Sequence, residues 1–172
     1  MARLGPAAPS VEEKAFRAQE GTTAPNLSLA IANAPEVARR QLELLRAATA
    51  GMSFRQKELI TLLVGQLTGN AYCWGHHVPA VLEAGVTTAQ IHSLRAGDYS
   101  VFPPEEQVLL AYCAAVVKKE VTDELWEAVS PGRTPEDLMK ITMVVAFYCM
   151  IDHVQGALDV AQDDGFGGFE VP

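Results

Sequence analysis

Apolar residues recur along most of this chain at intervals of three and four, the period of a helix that buries one face. Leu59, Leu62, Leu63 and Leu67 follow Phe54 in this way, and in the pattern Val37, Leu42, Leu44, Leu45 after Pro35 the first returns to the last two after seven and eight residues, two helical turns. The strict alternation of a half-buried strand is missing, and no segment repeats another. Polar and small residues divide the pattern. Leu27 to Ala32 reads as a short helix stopped by Asn33. Pro35 sits at a favoured first-turn position and opens a helix to about Thr49, with Gly51 as the stop. Ser53 with Gln56 forms a capping box, so the next helix starts at Phe54 and runs to about Thr68 before Gly69. A helix over Ala71–Ala84 ends at Gly85. Thr87 and Gln90 form a second box, opening a helix to Ala96 before Gly97. Pro103-Pro-Glu-Glu106 starts a helix to about Lys119, whose lysines suit its negative end. Thr122 caps a short helix to Val129, and Thr134-Pro-Glu-Asp137 opens the longest, to about Ala161. The expected fold is all-α, about eight helices and no sheet.

Residues 1–25, rich in Ala, Pro, Gly and Thr, read as an arm with a short helix at Val11–Gln19. Residues 163–172, with three glycines and two phenylalanines, read as a flexible tail. The folded domain is then 26–162. Pro79 interrupts its helix: it cannot donate to the carbonyl of Gly75, so the helix kinks there or starts only near His76.

Composition narrows the class. Hydrophobic residues make up 49% and charged residues 20% of the chain. Either some apolar surface lies in a subunit interface or several helices are buried on all sides. The net charge is -8, and Arg39-Arg40 and Lys118-Lys119 are the only basic clusters, which argues against nucleic acid and anionic membrane as partners. Three cysteines fit no disulfide framework and point to a reducing cytoplasm. No apolar run of signal-peptide length follows Arg3, and the most apolar stretch, Ile141–Met150, is followed by Asp152 and His153, as in a buried core helix.

The chemistry concentrates between Glu58 and Gly85. Cys73 and His77 are i,i+4 neighbours and share one helix face. A thiol beside an imidazole makes a thiolate near neutral pH or holds a proton-transfer pair; a lone helical cysteine is otherwise a small core residue. His77 would serve as thiol partner, proton relay or substrate binder, while His76 caps or reaches solvent. Glu58 shares a stripe with Thr61, Leu62, Gly65 and Gly69. Two glycines let a neighbouring helix approach, which buries the carboxylate and raises its pKa toward a range useful for proton transfer. The alternative is a surface glutamate near a helix start. Cys113 and Cys149 lie in apolar runs and read as core. His153, on a helix apolar all round, reads as a buried imidazole, either satisfied in the core or part of the site. No Cys/His set has metal-ligand spacing, and no phosphate loop, dinucleotide fingerprint or nucleophile elbow occurs, so neither metal nor cofactor is expected.

Glu58, fourteen residues, Cys73, three residues, His77 resembles the core motif of the carboxymuconolactone decarboxylase and alkylhydroperoxidase D superfamily. The flanks Phe54-Arg-Gln-Lys-Glu-Leu-Ile60 and His77-Val-Pro-Ala-Val-Leu-Glu-Ala-Gly85, and the Phe147-Tyr148 pair, are similar too, and the resemblance spans about 25–162. It implies an AhpD-like helical domain that assembles as a homo-oligomer, trimer or hexamer. In the peroxidase branch Asn70 stands where the first of two cysteines would be, so that disulfide cannot close. A one-cysteine thiol peroxidase through Cys73 would need Cys113, Cys149 or an external thiol to resolve it. The decarboxylase branch implies Glu58 and His77 as acid/base groups, Asn70 and Tyr72 as donors to developing charge, and His76 or His153 as binders of a substrate carboxylate. The expected function is therefore cofactor-free acid/base chemistry (decarboxylation, isomerisation or a related lyase step) on a small organic acid or lactone. Thiol-dependent peroxide reduction through Cys73 and a non-catalytic oligomeric binding protein are the alternatives.

Overall fold

The computed structural model describes residues 3–5 and 26–163. The expected arm helix at 11–19 and the tail from 164 onward lie outside them. Among the described residues the chain forms eight α-helices and no strand: α1 Asn26–Ile31, α2 Pro35–Thr49, α3 Phe54–Thr68, α4 Ala71–Glu83, α5 Thr88–Arg95, α6 Pro104–Lys118, α7 Asp123–Val129 and α8 Pro135–Leu158.

The ends of these helices follow from their capping residues. Ser53 Oγ accepts from Gln56 N at 3.1 Å and starts α3, supplying the forward half of the expected box. Full reciprocal boxes form at Thr87–Gln90 and Thr134–Asp137. Gly69 takes φ +71 and ends α3. Two helices end on a left-handed residue other than glycine. Lys119 (φ 63) ends α6, and Asp159 (φ 51) ends α8, three residues short of the expected Ala161. At the latter, Val160 N donates to Gln155 O at 3.2 Å and Val160 is buried, so the apolar contact after the turn fixes the reversal. Nor does α4 begin near His76: Asn70 caps it at Ala71, and it runs through Pro79 to Glu83.

The centre of the molecule is α3, buried without a break from Glu58 to Gly65. It packs against α4, α8 and α6, with α2 on α8 and α7 on α6. Arg55 holds Glu106 with two bonds, 2.6 and 3.0 Å, and ties α3 to α6. A helix buried on several sides must accommodate close neighbours, and Gly65 does so: a Cβ there would meet Cys73 Sγ at 3.1 Å and the Trp74 backbone N at 3.2 Å. Gly69, expected on the same close approach, has nothing near it and serves only as the left-handed cap.

Candidate active site

The approach of α3 to α4 at Gly65 brings Glu58 and His77 together. Glu58 is 2% exposed. Its Oε2 lies 2.6 Å from His77 Nδ1 and its Oε1 lies 2.9 Å from Lys57 Nζ. Burial, as expected from the glycine stripe, drives this carboxyl upward. The hydrogen bond and charge of His77, and then those of Lys57, outweigh it and hold Glu58 below the ordinary carboxylate range. The sequence-based expectation of a raised Glu58 is thereby corrected: a cation and a donor occupy both oxygens, and Glu58 stays ionised.

That ionised carboxylate sets the tautomer of His77. Nδ1–H donates to Glu58 Oε2, which leaves the Nε2 lone pair as the basic atom. The imidazole, one-fifth exposed, packs its ring against Tyr148 of α8 edge to face at 5.6 Å. Tyr148 is buried, hydrogen-bonds Thr61, and has its phenol pushed up by burial.

Cys73 shares the face with His77 but is not paired with it. Its thiol donates to the Thr61 carbonyl at 3.7 Å. Burial first, then the negative charges of Asp152 and Glu58, push the thiol up to about 12. A thiolate near neutral pH, one of the expected roles, is therefore corrected: burial and the carboxylates that face Cys73 oppose its ionisation.

The other candidates fall elsewhere. Asn70 is the N-cap of α4, its Oδ1 accepting from Cys73 N at 2.8 Å, so it positions the cysteine's backbone. Tyr72 and His76, one helix step from Cys73 and His77, turn to Asp163. Tyr72 Oη donates to Asp163 Oδ2, His76 Nε2 meets the same oxygen at 2.8 Å, and the two rings lie 4.5 Å apart. Asp163 Oδ1 in turn accepts from Asn26 N at 2.7 Å. Burial raises Tyr72 with help from Asp163, and burial lowers His76 against the pull of Asp163. His153 is exposed, not buried, with Nδ1 on the Cys149 carbonyl at 2.6 Å. The pattern of α8, apolar on every side, had given no face to distinguish. Cys113 is fully buried, as expected for core; Cys149 is only half-buried.

Lys57, Thr61 and Asp163 complete the arrangement and were not read as site residues, while Tyr148 had entered only with Phe147, as part of the resemblance. Lys57 and Thr61 had a usable signal, since they flank Glu58 on α3. Asp163 had none, because its contacts join residues 87 and 91 positions apart. A cavity of about 310 Å³ lies on the other side of α3, lined by Gln56, Leu59, Leu109, Arg133 and Lys140. Its walls include none of Glu58, Cys73 and His77. Among the described residues no three His, Cys, Asp or Glu side chains converge as a metal set.

The carboxymuconolactone decarboxylase family model matches residues 35–116, a stretch that holds Glu58, Cys73 and His77. The fold is similar over more of the chain. An uncharacterised peroxidase-related protein from Ralstonia eutropha JMP134, described as an alkylhydroperoxidase AhpD core, superposes with TM-score 0.81 at 18% identity, covering 96% of this chain and 94% of its own. Another peroxidase-related protein, from Silicibacter sp. TM1040, gives 0.80 at 19% identity over 97% and 94%. The debrominase Bmp8, in a cysteine-to-alanine form bound to 2,3,4-tribromopyrrole, gives 0.77 at 16% identity over 96% of each chain. At these identities the likeness is one of fold. No curated protein matches the sequence.

Proposed function

From a chain that matches the carboxymuconolactone decarboxylase family over residues 35–116, we propose a cofactor-independent enzyme that moves a proton on a small organic acid or lactone through His77. One observation carries this reading: the 2.6 Å contact between His77 Nδ1 and a buried, ionised Glu58. Glu58 is too enclosed to meet substrate and has both oxygens engaged, so its role is to orient His77 and to stabilise the imidazolium that forms. His77 Nε2 is the acting base and acid. In an isomerisation it takes a proton from the carbon next to a carbonyl, leaving an enolate, and returns it to another carbon. In a decarboxylation the bond to the carboxylate breaks, CO2 leaves with its electron pair left behind as the enolate, and His77 delivers a proton from water to that carbon. Tyr148 holds the imidazole ring from the side, and Lys57 keeps Glu58 charged.

A second reading, thiol peroxide reduction at Cys73, is favoured by the peroxidase-related proteins among the structural neighbours. It requires a thiolate where the surroundings hold the proton on sulfur.

The test is a panel of small lactone and keto acids, followed for CO2 release and for deuterium uptake from D2O, with wild type and His77→Ala. Turnover lost by a factor of about 10² or more in the variant, with its fold intact, supports the reading. Turnover that survives His77→Ala overturns it.

A further inference from the structure

The cavity on the other side of α3 has an apolar floor and a polar wall. Leu59 from α3, Leu109 from α6 and Ile141 from α8 are all buried and make the floor. At about 310 Å³ the space falls at the small end of the range for ligand pockets, about 300–1,000 Å³. Three carboxylates and two cations line it as well, and most of them are already engaged. Glu106 gives both oxygens to Arg55, at 2.6 and 3.0 Å. Asp137 Oδ2 accepts from Thr134 N and Oγ in the capping box that starts α8. Glu105 is exposed to solvent. Lys140 Nζ is held by the Ala50 carbonyl at 3.1 Å and by Glu136 at 2.7 Å.

Arg133 differs from these. It is partly buried on the turn before α8, and Nη1 donates to the Val129 carbonyl at 2.7 Å. Its guanidinium meets no carboxylate among the described residues, which leaves most of its fork of N–H groups uncommitted. The side chain of Gln56, on the same wall, likewise makes no hydrogen bond among the described residues. A planar fork beside an apolar floor suits an ionised carboxyl group attached to an apolar body.

We propose that this cavity is a second small-molecule site, which takes an organic monocarboxylate. The carboxylate lies on Arg133 with the Gln56 amide as a further donor, and a body about the size of one ring rests on Leu59, Leu109 and Ile141. A single negative charge is specified, because Lys140 is engaged while Glu105 and Asp137 would repel a second. The site is separate from the dyad, since none of Glu58, Cys73 and His77 lines it. Leu59 follows Glu58 directly, so the ligand rests on the helix that carries the dyad's carboxylate.

Titration calorimetry of the full chain with sodium benzoate tests this, with neutral benzamide, of the same shape, beside it. Wild type and His77→Ala should bind one benzoate per chain with affinities within about threefold of each other, because the two sites share no residue. Benzamide should bind wild type at least about tenfold more weakly, since it offers the fork no charge. Arg133→Met should weaken benzoate by about the same factor with helical content unchanged by circular dichroism. Arg133→Lys, which keeps the charge and a donor for Val129 but not the fork, should also bind more weakly than wild type. No saturable binding of benzoate at millimolar concentration, benzamide bound as tightly as benzoate, or full affinity in both Arg133 variants would overturn the proposal. So would loss of benzoate binding in His77→Ala, which would place the ligand at the dyad.

Discussion

Replacing Glu58 by glutamine probes the dyad at constant shape. In wild type one carboxylate oxygen accepts from His77 and the other from Lys57. An amide offers one acceptor and one donor. If its oxygen faces His77, its NH2 meets Lys57 Nζ, donor against donor. If it is turned round, its NH2 faces Nδ1, and the imidazole must carry its proton on Nε2, which removes the base. The Lys57 side chain is 31% exposed and can turn to water, so losing that pair costs about 1 kcal/mol or less. The mismatch at the buried His77 contact costs about 1–3 kcal/mol. Turnover should fall by roughly 10²–10⁴, because the base is misoriented and the imidazolium uncompensated. The pH dependence has a definite sign. Glu58 is held below its unfolded value of about 4.3, so its contribution to stability is complete at neutral pH and is lost as the pH falls through the folded value. Urea unfolding at pH 7 should show wild type ahead of the variant, and the gap should close in acid. Equal stability at pH 7, a gap that widens in acid, or turnover within about threefold of wild type would refute this reasoning.

Two further predictions rest on separate contacts. Gly65→Ala should destabilise the fold by about 1–3 kcal/mol, read as a lower urea midpoint, because its Cβ would press on the Trp74 backbone, which no rotamer change relieves. His76 is held below its ordinary value by burial, so wild type should lose stability as the pH drops below about 6.5; His76→Gln should flatten that part of the profile.

How far the sequence could be read depended on the range of the interaction. Helix starts rest on contacts three residues apart, and Ser53, Thr87, Thr122 and Thr134 each sit at the cap they announce. Gly69, Gly85 and Gly97 mark ends for the same local reason. Lys119 and Asp159 do not announce themselves, since a left-handed lysine or aspartate is selected by the packing after the turn. The i,i+4 relation of Cys73 and His77 was visible, but not which way either side chain would turn. That choice belongs to Glu58, Thr61 and Asp152, which come from α3 and α8. Burial of Glu58 could be inferred from Gly65, yet the sign of its pKa shift depended on Lys57 and His77 meeting separate oxygens. Asn70, expected as a donor to developing charge, sits just before the first turn of α4 and serves as its cap. His153 was misplaced because a helix apolar on every side hides its solvent face, and the exposed methionines of α8 were missed with it.

The central claim is that the site works through a proton on His77 while Cys73 keeps its own. Mass spectrometry after a brief, limiting pulse of peroxide, with a sulfenate trap present, tests it most directly. With the Cys73 thiol pushed up to about 12, trapped product at Cys73 should accumulate no faster than at half-buried Cys149. Rapid and selective trapping at Cys73, reversed by a thiol reductant, would contradict the account and make the cysteine the reacting group.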